Sequence, residues 1–277
     1  MYVCRLLWLW DWIWHNFWIT INLTKYTNLV KIVALLLLIN ILLKIPNQYF
    51  EDNFLAYHIF KSLIQTSILC FVIFKFKFKE LLFFGRSTLW ALVVGIFLLF
   101  LSISKMHSML EAKGEFVPLS RHSLFVLSCL ATGVFEELFF RFFVFNYLLK
   151  KLKKNLLFSI LVSSALFALA HLTNLFLSSY DTYSVINQTL FAFSIGIFLQ
   201  VVNIRTNSLV LVMFFHALIN YWGSYRSKLV QIIPETLSEQ TFNDFLTTFI
   251  SIILFSLLIL LPLSWVLIRN KIETKTT

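Results

Sequence analysis

The chain has 277 residues, 59% of them hydrophobic and only 13% charged, with a formal net charge of +10. A soluble domain carries about a quarter charged residues, and the apolar residues here fall in blocks of roughly twenty, enough to cross a ~30 Å hydrocarbon core. Composition therefore excludes a soluble globular domain and predicts an all-α, polytopic bundle of transmembrane helices. The positive charge does not indicate nucleic acid, because the lysines stand in short clusters between apolar blocks, where they face anionic lipid and set topology. Cys4, Cys70 and Cys129 have no paired spacing, so neither a disulfide framework nor a zinc motif is indicated.

The chain opens on a segment crowded with Trp8, Trp10, Trp12, Trp14 and Trp18 and interrupted by Arg5, Asp11 and His15. Tryptophan favours the headgroup level, so residues 1–28 read as an N-terminal interfacial segment rather than a span. The segment lacks the small-residue cleavage site of a secretory signal peptide. Eight spans follow, at about 29–45, 54–74, 88–104, 122–149, 155–175, 184–202, 207–222 and 244–268. Pro46, Pro118 and Pro234 fall in connections, whereas Pro262 lies inside the last span and predicts a kink. With no internal repeat, residues 29–277 read as a single membrane domain.

Loop charge predicts orientation. Lys75, Lys77, Lys79 and Arg86 join spans two and three, and Lys150, Lys151, Lys153 and Lys154 join spans four and five. Arg205 lies between spans six and seven, and Arg269, Lys271 and Lys275 follow span eight. If eight helices alternate, all of these share one side, which the positive-inside rule makes cytoplasmic. Both termini are then cytoplasmic, in agreement with Lys25 and Lys31. The opposite connections carry Glu51 and Asp52, then Asp181, then Glu235, Glu239 and Asp244, while 105–121 is mixed. The predicted location is a bacterial inner membrane or a plasma membrane, with bilayer lipid as the first partner.

Ionisable residues at depth cluster between positions 136 and 220. Span four carries Glu136, Glu137 and Arg141, span five carries His171, and span seven carries His216 and Asn220. A charged residue at a helix centre costs about 2.5–3.5 kcal/mol on insertion scales, whereas a leucine returns only about 0.3–0.6 kcal/mol. These groups must therefore face the bundle interior and one another. Glu137 and Arg141 are four apart and form an ion pair on one face, which leaves Glu136, about 100° round the helix, free for other work. His216 and Asn220 share a face, as do Phe167 and His171. Ser163, Ser164, Ala165, Ala168 and Ala170 permit close approach by neighbouring helices. Counted from the flanking cations at 1.5 Å per residue, Glu136, His171 and His216 lie roughly 20, 25 and 16 Å deep. One layer near the midplane holds all three.

Three motifs in this layer resemble a known family. Glu136-Glu137-Leu-Phe-Phe-Arg141 is similar to the EExxxR motif of the CPBP family, the CAAX-protease and bacteriocin-processing (Abi) type of intramembrane endopeptidase. Phe167-Ala-Leu-Ala-His171 resembles its FxxxH motif and His216-Ala-Leu-Ile-Asn220 its HxxxN motif. The run Arg205-Thr-Asn-Ser-Leu has the family's flavour, with Asn207 where glycine is usual. The resemblance covers about 118–225 and marks that stretch as a catalytic core. It implies a glutamic-type hydrolase that uses no cofactor, with Glu136 and His171 activating a water. It further implies that His216 and Asn220 hold the oxyanion, while Glu137 and Arg141 brace the site. The implied substrate is a membrane-associated peptide or protein, one that is lipidated where the host prenylates.

Three rival readings remain at this level. Glu136, His171 and His216 have the chemistry of a catalytic zinc site, although no HExxH is present. Intramembrane Glu, His and Arg also mark proton-coupled transporters, although the internal repeats usual there are missing. A non-catalytic regulator or immunity protein could keep the same fold.

Overall fold

The structure is a computed structural model that describes residues 27, 29–34, 54–75, 86–115, 117–176, 181–225, 229 and 241–273. The Trp-rich segment, most of the first predicted span, Pro46, Pro234, Lys77, Lys79, Lys275, Glu51, Asp52, Glu235 and Glu239 lie outside the described residues. Within them there is no strand, and eight α-helices follow one another. These are α1 (Phe54–Lys75), α2 (Arg86–Ala112), α3 (Leu119–Glu137), α4 (Leu156–His171), α5 (Thr182–Thr206), α6 (Leu209–Ser224), α7 (Phe242–Phe255) and α8 (Leu261–Glu273).

Six stretches are long and apolar enough to cross a membrane: Leu55–Phe74, Leu89–Ala112, Leu119–Lys151, Leu156–Leu175, Thr182–Thr206 and Phe242–Arg269. α6 is a shorter apolar helix among them. The chain is a polytopic helical membrane protein, and among the described residues each predicted span from 54–74 onward has a helix in place, while the described start of the first, 29–34, is helical too.

The differences from the sequence reading have local causes. α2 runs on to Ala112 and takes up half of the predicted 105–121 connection. Met106 and Leu110, four apart on one face, are fully buried and hold the extra turns against the bundle. The helix then stops at Gly114, whose φ of +71° is the left-handed conformation that ends helices. Pro118 at the N-cap starts α3. In the last span the helix continues through Pro262 rather than breaking. The preceding turn, Ser256–Leu260, widens to a π-helix, and Ser264 donates to the Leu260 carbonyl at 2.7 Å. A wide turn makes room for the ring and carries the chain past the missing donor.

α5 is the central helix. About 61% of its most apolar window is buried, against 17% for Phe242–Arg269, so the first lies inside the bundle and the second faces lipid. α4 runs along α5, α3 lies between α1 and α6, α2 covers α6, and α7 and α8 pack on α5. Leu89, Trp90, Phe71, Phe100 and Leu258 are exposed on the outer helices, as a hydrocarbon solvent requires.

Two tight joints fix the helices that carry the motifs. Between α3 and α4, Lys153 takes a positive φ of 50° and the Lys154 amide returns to the Leu148 carbonyl at 3.0 Å. Asn155 then caps α4 by accepting from the Phe158 amide at 2.7 Å. Between α5 and α6 a single residue, Asn207, turns the chain at φ 51°. Asparagine is the non-glycine residue best suited to that conformation. Ser208 follows at once as the N-cap of α6.

Candidate active site

The site forms where α3 meets α6. A Cβ on Gly133 would stand 3.2 Å from the Met213 carbonyl oxygen and 3.4 Å from the Ala217 amide nitrogen. The absence of a side chain there lets the two backbones approach closely. One turn further along α3, Glu137 reaches α6, and its Oε1 lies 2.6 Å from His216 Nδ1. On its other side, Glu137 Oε2 is 3.2 Å from Arg141 Nε. Glu136 Oε2 meets the second ring nitrogen, His216 Nε2, at 3.2 Å. Both imidazole nitrogens of His216 thus face carboxylates. With both carrying protons, imidazolium and guanidinium balance the two carboxylates, and the cluster is neutral within the bundle.

The chain after Glu137 is not an α-helix. Leu138–Val144 and Tyr147–Lys151 wind as π-helix, with i→i+5 bonding that recurs at functional sites. Side chains occupy the carbonyls of this segment. Ser163 of α4 donates to the Phe140 oxygen at 2.6 Å, and Asn146 donates to the Phe142 oxygen at 2.7 Å. The ion pair between Glu137 and Arg141 therefore spans the change from α to π winding rather than one uniform α-helical face.

His171 closes α4. Its Nδ1 lies 2.9 Å from the Phe167 carbonyl. A carbonyl only accepts, so Nδ1 donates, and Nε2 keeps its lone pair in the neutral ring. His171 and His216 both lie against the ring of Phe167. Asn220 lies one turn beyond His216, partly buried, and makes no hydrogen bond among the described residues. The structure thus joins Glu136, Glu137, Arg141 and His216 in one contact network. It sets His171 beside that network and leaves Asn220 along the same helix without a link to it.

Phe167 is the residue whose role sequence reasoning missed. Its ring centroid is 4.0 Å from Arg141 Cζ, 4.9 Å from the His171 ring and 5.6 Å from the His216 ring. A desolvated cation–π contact of this kind is worth about 2 kcal/mol. The chain has 32 phenylalanines, and nothing in the local sequence marks this one beyond its spacing to His171.

Exposure separates the two glutamates. The Glu136 side chain is 24% exposed, whereas those of Glu137 and Arg141 are at 0% and 1%. Of the two carboxylates, Glu136 is the more exposed.

Residues 118–222 match the family model for type II CAAX prenyl endopeptidase, Rce1-like. Over this segment, less than half of its length, the chain is similar to that family. The Rce1-like segment begins at Pro118, the N-cap of α3, and ends on α6 just beyond Asn220, so every motif residue described above lies inside it. No curated protein and no solved structure matches the chain.

Proposed function

We propose that the chain is an intramembrane endopeptidase that hydrolyses a peptide bond of a membrane-associated protein or peptide, with a water activated by Glu136 and His171. The observation that carries this reading is Glu136 itself. It is the accessible carboxylate of the network, and His216 holds it in position at 3.2 Å. In this reading the water gives its proton to Glu136 while its oxygen attacks the scissile carbonyl carbon. His171, with its free Nε2, orients that water. The carbonyl oxygen becomes an oxyanion, stabilised by Asn220 and by the Nε2 proton of His216 as Glu136 loses its charge. When the intermediate collapses, the C–N bond breaks and the departing amine takes the proton from Glu136. Glu137 and Arg141 hold the His216 ring throughout, and residues 118–225 form the catalytic core of a single membrane domain.

The reaction needs no metal in this scheme. Both nitrogens of His216 are already turned to carboxylates, which supports water activation by side chains over a zinc centre using that ring. The family description points to a prenylated peptide ending in a CAAX sequence as the first substrate to try. The test uses the full chain in proteoliposomes with a quenched fluorogenic peptide carrying a farnesylated cysteine, and its unprenylated twin. Cleavage at one bond, retained in strong chelator, is expected. Cleavage abolished by the chelator and restored by zinc would replace the glutamic mechanism. Comparing membrane peptides from cells with and without Glu136→Ala would then identify natural substrates.

For topology we propose cytoplasmic termini, on the strength of the Lys150–Lys154 and Arg269 clusters. Reporter fusions at Thr277 and at Gly114 are expected in opposite compartments. The same compartment for both would mean a miscounted span.

A further inference from the structure

One side chain touches the guanidinium and both imidazoles of the site. Phe167 is 2% exposed, its ring meets Arg141, His171 and His216, and its own carbonyl accepts the His171 Nδ1 proton. Phe140, from the π-helical stretch, packs edge-on against the same ring at 5.3 Å. Gly196 of the central helix backs it, since a Cβ there would lie 3.3 Å from Phe167 Cδ1 and 3.2 Å from Ser164 Cβ. The ring is seated close against the backbone of α5.

Arg141 needs such a partner. Its side chain is buried, and neither terminal amino group finds a hydrogen-bond acceptor among the described residues. Its Nε lies 3.2 Å from Glu137 Oε2 but makes no well-directed hydrogen bond to it. A guanidinium in low dielectric with one poorly aligned ion pair lacks the donors' usual satisfaction. The negative face of an aromatic ring at 4.0 Å supplies attraction that the carboxylate alone does not complete.

We propose that Phe167 is an electrostatic positioning residue: its π-face holds the Arg141 guanidinium, and through the Arg141–Glu137–His216 chain it sets where Glu136 stands. The inference rests on the hydrolase reading for its catalytic consequence, but the ring–cation contact stands apart from it. A leucine would offer no negative face but would also change the shape of the filled space, so it cannot separate the two roles. What distinguishes the two roles is therefore electron density in the ring at constant shape.

The experiment replaces Phe167, in the full chain, with phenylalanines carrying one, two and three ring fluorines, each of which drains π density with little change of volume. On the farnesylated fluorogenic peptide, kcat is expected to fall roughly threefold per fluorine, the order set by a desolvated cation–π contact. KM should move less than twofold, and the melting temperature in detergent should fall in step. A flat kcat across the series, with Phe167→Leu alone inactive, would make Phe167 a space filler and overturn the proposal. If the wild-type chain cleaves neither peptide, the hydrolase reading fails, and the melting series decides the contact by itself. A stepwise loss that disappears in an Arg141→Met background supports it. A loss equal in both backgrounds, or none, overturns it. Should Arg141→Met fail to fold, the series in the wild-type background is read alone, and a flat melting temperature is then the overturning result.

Discussion

α3 and α6 meet twice, and the two meetings differ in chemistry though not in burial. At one level Glu137 and His216 touch at 2.6 Å, with Glu136 and Arg141 beside them. About four turns toward the start of α3, His122 lies 3.3 Å from the Tyr221 hydroxyl and edge-on to His107 of α2 at 5.4 Å between ring centroids. Phe125 packs on the Tyr221 ring there, and the His122 Nε2 has no partner among the described residues. Both histidines are almost wholly buried. The lesson is that a buried histidine between membrane helices is not in itself a sign of catalysis. Carboxylates on both nitrogens and a partly exposed neighbour, Glu136, distinguish the first level from the second.

The largest expected effect breaks the first level outright. Glu136→Ala and His171→Ala should each lower cleavage by about 10³-fold or more, within and beyond the range for a positioned acid–base group. His122→Ala, at the aromatic level, should leave kcat within a few-fold of wild type. Single-turnover cleavage of the farnesylated peptide by the purified variants reads both. Near-wild-type cleavage by Glu136→Ala would end the assignment of that carboxylate.

Arg141→Ala should act on stability as well as rate. Removing one member of a buried pair costs about 3–5 kcal/mol. The lower end is expected here, because His216 remains beside Glu137 at 2.6 Å. Thermal unfolding in detergent measures it, and a variant as stable as wild type would contradict the bracing role.

How far the sequence discloses this site depends on the range of the forces involved. Blocks of apolar residues about twenty long disclose the spans because each block is matched to the bilayer itself. The expense of Glu136, Glu137 and Arg141 in hydrocarbon discloses that they face inward, and helical spacing sets Glu137 near Arg141. The π winding after Glu137 is not legible in the same way. It is met by Ser163, twenty-three residues on and on another helix, which donates to the Phe140 carbonyl. His216 between two carboxylates is equally hidden, since spacing within α6 gives its face but not its partner seventy-nine residues away. Gly133 could have been noticed: a glycine four residues before Glu137 shares its face, and small residues mark close helix contacts. His122 and Tyr221 carry no sequence signal that sets their meeting apart from ordinary core packing.

A smaller effect should separate positions within the first level. Asn220→Ala is expected to lower kcat by about 10²-fold, the typical loss for one oxyanion donor, with little change in KM. Asn220 makes no hydrogen bond among the described residues, so its amide is free to meet a group that exists only as the reaction proceeds. Asn220→Asp should be at least as harmful, because a carboxylate repels an oxyanion. A rise in KM alone would make Asn220 a substrate-positioning residue instead.

The smallest expected effect lies one residue further on. Tyr221→Phe keeps the ring on Phe125 at 5.1 Å and removes the hydroxyl that faces His122. Losing one neutral hydrogen bond costs about 1 kcal/mol, and at 3.3 Å this one is long, so the fall in stability should not exceed that figure. Cleavage should be unchanged, although Tyr221 adjoins Asn220 in the chain, because its side chain turns to the aromatic level rather than to Glu136. The pair of variants therefore compares the two levels at neighbouring positions of one helix. Asn220→Ala should change rate without stability, and Tyr221→Phe should change stability without rate. If Tyr221→Phe slowed cleavage tenfold, the two levels would be one system, with His107, His122 and Tyr221 a polar route into the site from the membrane face at which α2 ends.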